Sequence, residues 1–381
     1  MPIFSEKMNI SVKFQISAEL QSKTPKNGEF VPPDILMTGS ERALMEIIVD
    51  MTFNFAIAFI GIFTNIIVIA VFAKQGFKDS VGISMTTIAA WDLVKSIGGT
   101  MQRMAGPIGI WSPASAKSWS NICLVIFNYL VSFSTYVTSV LAAYVAIERC
   151  LCVTMPLKVK WMLTRKVSFV VCSLVSFVVF GCFVVVFGIY DIVWVWDPSY
   201  NASVAVYQYN AFSTQHTEAL FGYYNLSGTL WPMASLVVIV ISAVVISVKL
   251  RQASEFRNQH HNGGTVKDSR ESGAPNNGQA NPNPKASRDQ KVVKMLLVII
   301  VLYIINLSPR VAHYLAKYFI TEYYYLRAYH NLATAMAYIV FFFDYLNTSV
   351  GLFVFLSMSS TFRATYKQLF PYCSRSSKPG K

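Results

Sequence analysis

Charge is scarce in this chain. Asp, Glu, Lys and Arg make up only 13% of the 381 residues, and acidic residues are the rarer kind, 19 against 32 basic ones. Soluble domains carry about 25% charged residues, so this composition does not supply an ordinary water-facing surface. The six cysteines (123, 150, 152, 172, 182 and 373) show no metal-ligand spacing. Cys150 and Cys152 form a C-x-C without the second pair that a zinc site needs. A nucleophile–base pair, a phosphate-binding glycine loop and a membrane metalloprotease motif are also missing, which argues against an enzyme. The first 45 residues are polar, with no basic stretch leading into a short apolar core, so no cleavable signal peptide is expected.

Apolar runs are abundant instead. Hydrophobic residues reach 54% and the mean hydropathy is +0.44. They fall into blocks long enough to cross a hydrocarbon layer of about 30 Å. Spanning helices are expected near 46–73, 81–105, 119–150, 167–190, 217–249, 291–319 and 329–356. The fourth block, Val167 to Ile189, holds no charge, and the fifth and sixth contain Pro232 and Pro309. Proline inside a spanning helix is tolerated and leaves a kink.

The net charge of +13 does not indicate nucleic acid, because the basic residues gather in alternate connectors. Lys74 and Lys78 follow the first block; Lys158, Lys160, Arg165 and Lys166 follow the third. Arg251, Arg257, Lys267, Arg270, Lys285 and Arg288 follow the fifth, and Arg363, Lys367, Arg375, Lys378 and Lys381 lie in the tail. The positive-inside rule then sets the N-terminus outside and the tail in the cytoplasm. The expected organisation is an extracellular segment 1–45, a bundle 46–356 and a tail 357–381. Residues 253–287, rich in Asn, Gly, Pro and Ser, read as a disordered cytoplasmic loop. The fold class is an all-α membrane protein of the plasma membrane.

At the cytoplasmic end of the third block stands Ile147-Glu148-Arg149-Cys150. An arginine at a membrane boundary is costly unless paired, and a snorkelling arginine beside its own carboxylate is the plainer reading. The run resembles the Glu/Asp-Arg-Tyr motif of rhodopsin-like G-protein-coupled receptors, with cysteine for tyrosine. Together with the following Leu-Cys-Val-Thr-Met-Pro-Leu-Lys it is similar to invertebrate chemosensory and FMRFamide-type peptide receptors. Nearly the whole chain fits. Ile88-Ala89-Ala90-Trp91-Asp92 resembles Leu-Ala-x-x-Asp, and Phe362-Arg363 resembles the start of a short interfacial eighth helix. The resemblance implies a seven-transmembrane helix bundle that binds an extracellular peptide or small chemosensory ligand and activates a heterotrimeric G protein.

By the same resemblance, Asn65, Asp92, Thr138 and Asn347 form a buried polar network able to hold an allosteric sodium ion; no other cofactor is implied. Asp289, 20 residues before Pro309, is expected to pair with Arg149 in the resting state, unless it is a solvated loop charge. There are departures from the pattern. Asn306-Leu307-Ser308-Pro309 replaces Cys-Trp-x-Pro, and Gly351-Leu352-x-x-Phe355 replaces Asn-Pro-x-x-Tyr. The connector from Asp191 to Leu220 has no cysteine to pair with Cys123, so the family's usual disulfide is not expected.

Val131 and Tyr345 stand where relatives have an amine-binding aspartate and a retinal-binding lysine, which disfavours both ligands. Charges in the outer half suggest a ligand pocket of Lys95, Arg103, Arg310, His313 and Asp344. Lys95 is expected to pair with Asp344, leaving Arg310 free for an acidic ligand group and Arg103 near the rim. A purely structural salt-bridge network is the competing reading, and a secondary transporter using the buried charges as a substrate path is the competing class. Asn9 and Asn201 head extracellular glycosylation sequons. Asn225, Asn306 and Asn347 head sequons inside helices. Cys373, after an amphipathic stretch, is either a palmitoylation site or a free thiol.

Overall fold

A computed structural model describes residues 33–77, 79–263, 284–325 and 327–371. Helix α1 runs over Gly39–Gln75. Thr38 starts it with a capping box: its hydroxyl accepts from Glu41 N, and Glu41 accepts from Thr38 N at 2.8 Å. The segment Glu46–Asn54 is wound as a π-helix. The rod ends at Gly76, whose φ of 79° only glycine adopts cheaply.

Helix α2 (Ser80–Arg103) is capped by Asp79, which accepts from Gly82 N at 2.8 Å. Helix α3 (Pro113–Thr154) is interrupted only at Ile126, and it starts at Ser112 followed by proline in the first turn. Next come α4 (Arg165–Gly181), a 3-10 turn (Val184–Gly188), and strands β1 (Tyr190–Asp197) and β2 (Ala202–Tyr209). Helices α5 (Thr217–Gly263), α6 (Pro284–Phe319), α7 (His330–Met358) and α8 (Ser360–Leu369) complete the described chain.

Among the described residues, six rods are long and apolar enough to cross a membrane: α1, α3, α4 with its 3-10 turn, long parts of α5 and α6, and the whole of α7. Helix α2 is the seventh member of the bundle. Its 24 residues span about 36 Å at 1.5 Å per residue. Asp92, Lys95, Ser96, Thr100 and Arg103 lower its hydropathy, yet all five are buried against protein. Intramembrane charges face the bundle interior in this way because lipid cannot solvate them. Large apolar side chains such as Phe59, Phe63, Phe169 and Phe177 are exposed on the outer surface, as a lipid-facing surface requires.

Helix α3 is the axis of the bundle, buried almost continuously from Val131 to Arg149 and packed on α2, α4, α5 and α6. Phe133 lies at its centre, stacked on Phe183 at 4.4 Å between ring centroids and edge-on to Phe187 at 5.6 Å.

Several boundaries differ from the sequence expectation. Helix α1 begins at Gly39, ahead of the apolar run, because the capping box extends it. The fourth helix was expected to reach residue 190, but its α-helical part stops at Gly181. The β-branched run Val184-Val185-Val186 then tightens into a 3-10 turn and passes directly into β1. The expected disordered loop is helical at both ends, since α5 continues to Gly263 and α6 starts at Pro284.

The connector between α4 and α5 contains an antiparallel hairpin. In register, Tyr190, Ile192, Trp194 and Trp196 face Tyr209, Tyr207, Ala205 and Ser203. It is pinned to α3 on both sides of one residue: Asn121 Nδ2 donates to Ala205 O at 2.8 Å, and Ala205 N donates to Ser118 Oγ at 3.0 Å. Cys123 and Cys182 are free thiols.

Candidate functional site

Three buried polar layers are stacked along the bundle. In the middle layer, Asp92 on α2 meets Lys95 one turn further along, Nζ to Oδ1 2.8 Å, with both side chains at most 5% exposed. Thr348 on α7 donates to Asp92 Oδ1 at 3.3 Å. Asn65 on α1 donates to Gly61 O at 2.8 Å and Thr348 O at 3.2 Å. Asn306 donates to Asn347 Oδ1 at 3.3 Å. A cavity of about 50 Å³ runs between Asn65, Asp92, Tyr303, Asn347 and Thr348. A smaller void of about 10 Å³ is shared by Lys95, Thr138, Asn306, Asp344 and Asn347. The structure places Asn65, Asp92 and Asn347 around this one cavity. Thr138 lines only the smaller void and donates to Thr135 O on its own helix at 3.1 Å.

The layer nearer the hairpin corrects three sequence expectations. Lys95 pairs with Asp92 rather than Asp344. Asp344 is taken by Arg310, which binds it with Nη2 on Oδ2 and with Nε on Oδ1 at 3.3 Å, so Arg310 is not free. Its guanidinium also lies over the Tyr136 ring, 5.6 Å from the centroid. Arg103 is not at the rim; it is 2% exposed. It binds Asp50 Oδ1, and donates to Asp50 O and Gly99 O at 2.9 Å each and to Tyr345 OH at 3.1 Å. The π-wound turn of α1 presents Asp50 there, and Asn54 Nδ2 supports its carboxylate at 3.0 Å. Asp50 went unnoticed in the sequence, although it is the only carboxylate inside the first expected block beyond its opening Glu46.

Lys317 was also missed. Its ammonium lies 4.5 Å from the Tyr325 ring centroid and 5.5 Å from those of Tyr314 and Tyr324. Among the described residues no carboxylate lies within ion-pair distance of it. Nearby, Tyr136 OH and Tyr314 OH share a 2.6 Å hydrogen bond, and His313 Nδ1 is 2.9 Å from Tyr323 OH. Burial pushes the Tyr323 phenol up to about 12, which keeps it protonated as the partner of His313.

At the end of the bundle that carries α8, Glu148 is fully buried and saturated with hydroxyl donors. Ser80 from α2 binds it closely; Tyr144 donates at 2.9 Å, Ser168 from α4 at 3.1 Å and Ser84 at 3.3 Å. Arg149 Nη2 lies 3.5 Å from Glu148 Oε2, and its buried Nε has no hydrogen-bond partner among the described residues. Glu148 thus clamps α2, α3 and α4 together, whereas among the described residues Arg149 has only this one long ion-pair contact. The side chain of Asp289 lies outside the described residues, and so does its expected pairing.

A family model described as "Serpentine type 7TM GPCR chemoreceptor Srw" matches residues 52–373. The chain belongs to this family. It is a multi-pass membrane receptor of the chemosensory G-protein-coupled type, in a family that is generally non-enzymatic. A search of curated proteins returns no match.

The sodium ion implied by resemblance can now be tested against this Srw receptor. The Asp92 carboxylate already has an ammonium at 2.8 Å and a hydroxyl at 3.3 Å. Asn65 Nδ2, a donor, is spent on two backbone carbonyls. A second cation beside Lys95 would be repelled in a medium of low dielectric. These residues do not fit the ion.

Elsewhere in the Srw receptor, Asn201 is exposed in the hairpin turn with φ 46°. Asn9 and Cys373 lie outside the described residues. Helix α8 docks through Phe362, which packs against Phe72 and Phe355. Arg363 caps the end of α7, donating to Leu356 O at 2.9 Å.

Proposed function

We propose that this Srw receptor binds an extracellular ligand carrying an acidic group and, in response, activates a heterotrimeric G protein. The observation that carries the ligand class is a charge imbalance. Lys95, Arg103, Arg149 and Arg310 each have a carboxylate within 4 Å, whereas Lys317 has none among the described residues. It is held instead by three tyrosine rings. Cation–π contact stabilises an ammonium by only about 0.5–2 kcal/mol, so a carboxylate arriving beside Lys317 gains a strong, unsatisfied partner. A lysine in the last turn of a helix also favours the helix dipole, which would hold for any ligand and for none. The carboxylate of a small organic acid and the free C-terminus of a peptide share the required chemistry.

Arg149 is the natural point of contact with the G protein in this reading. Its loose tie to Glu148 leaves it available when the cytoplasmic ends of the helices move apart. The hairpin then faces the outside, with glycans on Asn9 and Asn201, and Cys373 can carry a palmitoyl chain beside α8 in the plasma membrane.

The test is nucleotide exchange on purified G proteins by receptor in lipid nanodiscs, challenged with carboxylic acids and their methyl esters. Acids should stimulate exchange where the matched esters do not. Lys317→Met should lower potency at least about 10-fold, the equivalent of 1.4 kcal/mol, while Lys317→Arg keeps most of it. Equal potency of acids and esters would remove the acidic-ligand reading. Absence of exchange with every G-protein class, together with ligand flux into vesicles, would replace the receptor reading with transport.

A further inference from the structure

Asp92 sits in surroundings that would suit an alkali cation if Lys95 were absent. A carboxylate and the hydroxyl of Thr348 meet at 3.3 Å. The amide of Asn347 adjoins the same cavity, and the hydroxyl of Thr138 and the amides of Asn306 and Asn347 line the neighbouring void. One anionic oxygen ligand among neutral ones is the donor chemistry that hard cations select. Lys95 fills that role from within the chain. Its side chain is 1% exposed, and its ammonium rests against Asp92 at 2.8 Å and borders the void that also reaches Asp344.

Charge accounting agrees. Asp92 and Asp344 bring two negative charges, and Lys95 and Arg310 bring two positive ones. Each of the two pairs is neutral as built, so a further cation would leave a net charge buried away from water, which is costly.

We infer that Lys95 is the resident cation of the receptor core, a tethered ammonium that makes the folded receptor independent of sodium. Ligand binding and G-protein coupling play no part in this assignment. Removing the ammonium should uncover a latent sodium site at Asp92, because the carboxylate and the neutral oxygens remain while the competing positive charge is gone.

The experiment compares melting temperatures of the full-length purified receptor, without ligand, in sodium chloride and in potassium chloride at equal ionic strength. The wild type should melt at the same temperature in both salts. Lys95→Met should melt about 2–4 °C higher in sodium than in potassium, and Lys95→Arg should show no preference. Adding Asp92→Asn to Lys95→Met should abolish the sodium preference. A sodium-specific rise in the wild type would overturn the assignment, and so would a Lys95→Met receptor that folds but ignores sodium. Should Lys95→Met not accumulate, the wild-type titration decides alone: equal melting in the two salts supports the tethered cation, and a sodium-specific gain rejects it.

Discussion

Arg310 and Asp344 illustrate how a single residue sets stability in a bundle of this kind. The two groups are buried and doubly bonded to one another, so each depends on its partner for solvation. Arg310→Met would strand the Asp344 carboxylate, and breaking a buried pair from one side costs about 3–5 kcal/mol. The double variant Arg310→Met with Asp344→Leu should recover most of that loss, since apolar replacement of a whole pair is often neutral. Thermal unfolding of the two purified receptors measures the difference; equal melting points for single and double variants would mean that the pair contributes little. The sequence did reveal that Lys95, Arg310 and Asp344 are buried charges, because each interrupts an apolar run, whereas Arg103 was expected at the rim. It did not reveal their partners. Pairing depends on how α2, α6 and α7 are rotated about their axes and on their relative depth, and neither is written in any one helix. Lys95 lies one turn from Asp92, so the local contact wins over the one across the bundle. Arg103 finds Asp50 only because a π-wound turn aims that carboxylate inward.

Helices come close together where side chains are small. An added Cβ at Gly99 of α2 would lie 2.5 Å from two ring carbons and the hydroxyl oxygen of Tyr345 on α7. That ring has little freedom, since Arg103 donates to its hydroxyl at 3.1 Å and it is fully buried. Small residues at such crossings are what membrane helices use to pack without a hydrophobic drive. Gly99→Ala should therefore cost about 1–3 kcal/mol, the usual range for overpacking. Adding Tyr345→Leu, which removes the clashing ring atoms, should recover part of the lost melting temperature; no recovery would place the strain elsewhere. Six of the spanning helices were legible because each is a long apolar run, and α2 was legible from its less apolar block between them. The hairpin was not, although Tyr190, Ile192, Trp194 and Trp196 alternate with Asp191, Val193, Val195 and Asp197 in the period of a strand. That stretch follows directly on the fourth apolar run, and its composition alone does not separate a helix end from a strand start.

The two ends of the whole molecule differ in chemistry, and this difference proposes an orientation. Glu148, Arg149 and α8 share an end with the basic residues Lys158, Arg165, Lys166, Lys249 and Arg251. The hairpin, Lys317 and the tyrosine cluster occupy the other end. Bases are retained on the cytoplasmic side of a membrane, which puts the hairpin outside, where glycosylation can occur. Asn201 is then an exposed acceptor at a turn, followed by Ala202 and Ser203 at the start of β2. Asn225, Asn306 and Asn347 head the same type of sequon but are embedded in α5, α6 and α7, and Asn306 is only 5% exposed. Endoglycosidase treatment of receptor from animal cells should therefore shift the wild-type band, with Asn9→Gln and Asn201→Gln each removing one step and the double variant showing none. A residual glycan on the double variant would contradict the helical placement of the other three sequons. A glycosylation tag accepted at the C-terminus would reverse the orientation, and with it the assignment of Lys317 to the ligand side and Arg149 to the G-protein side.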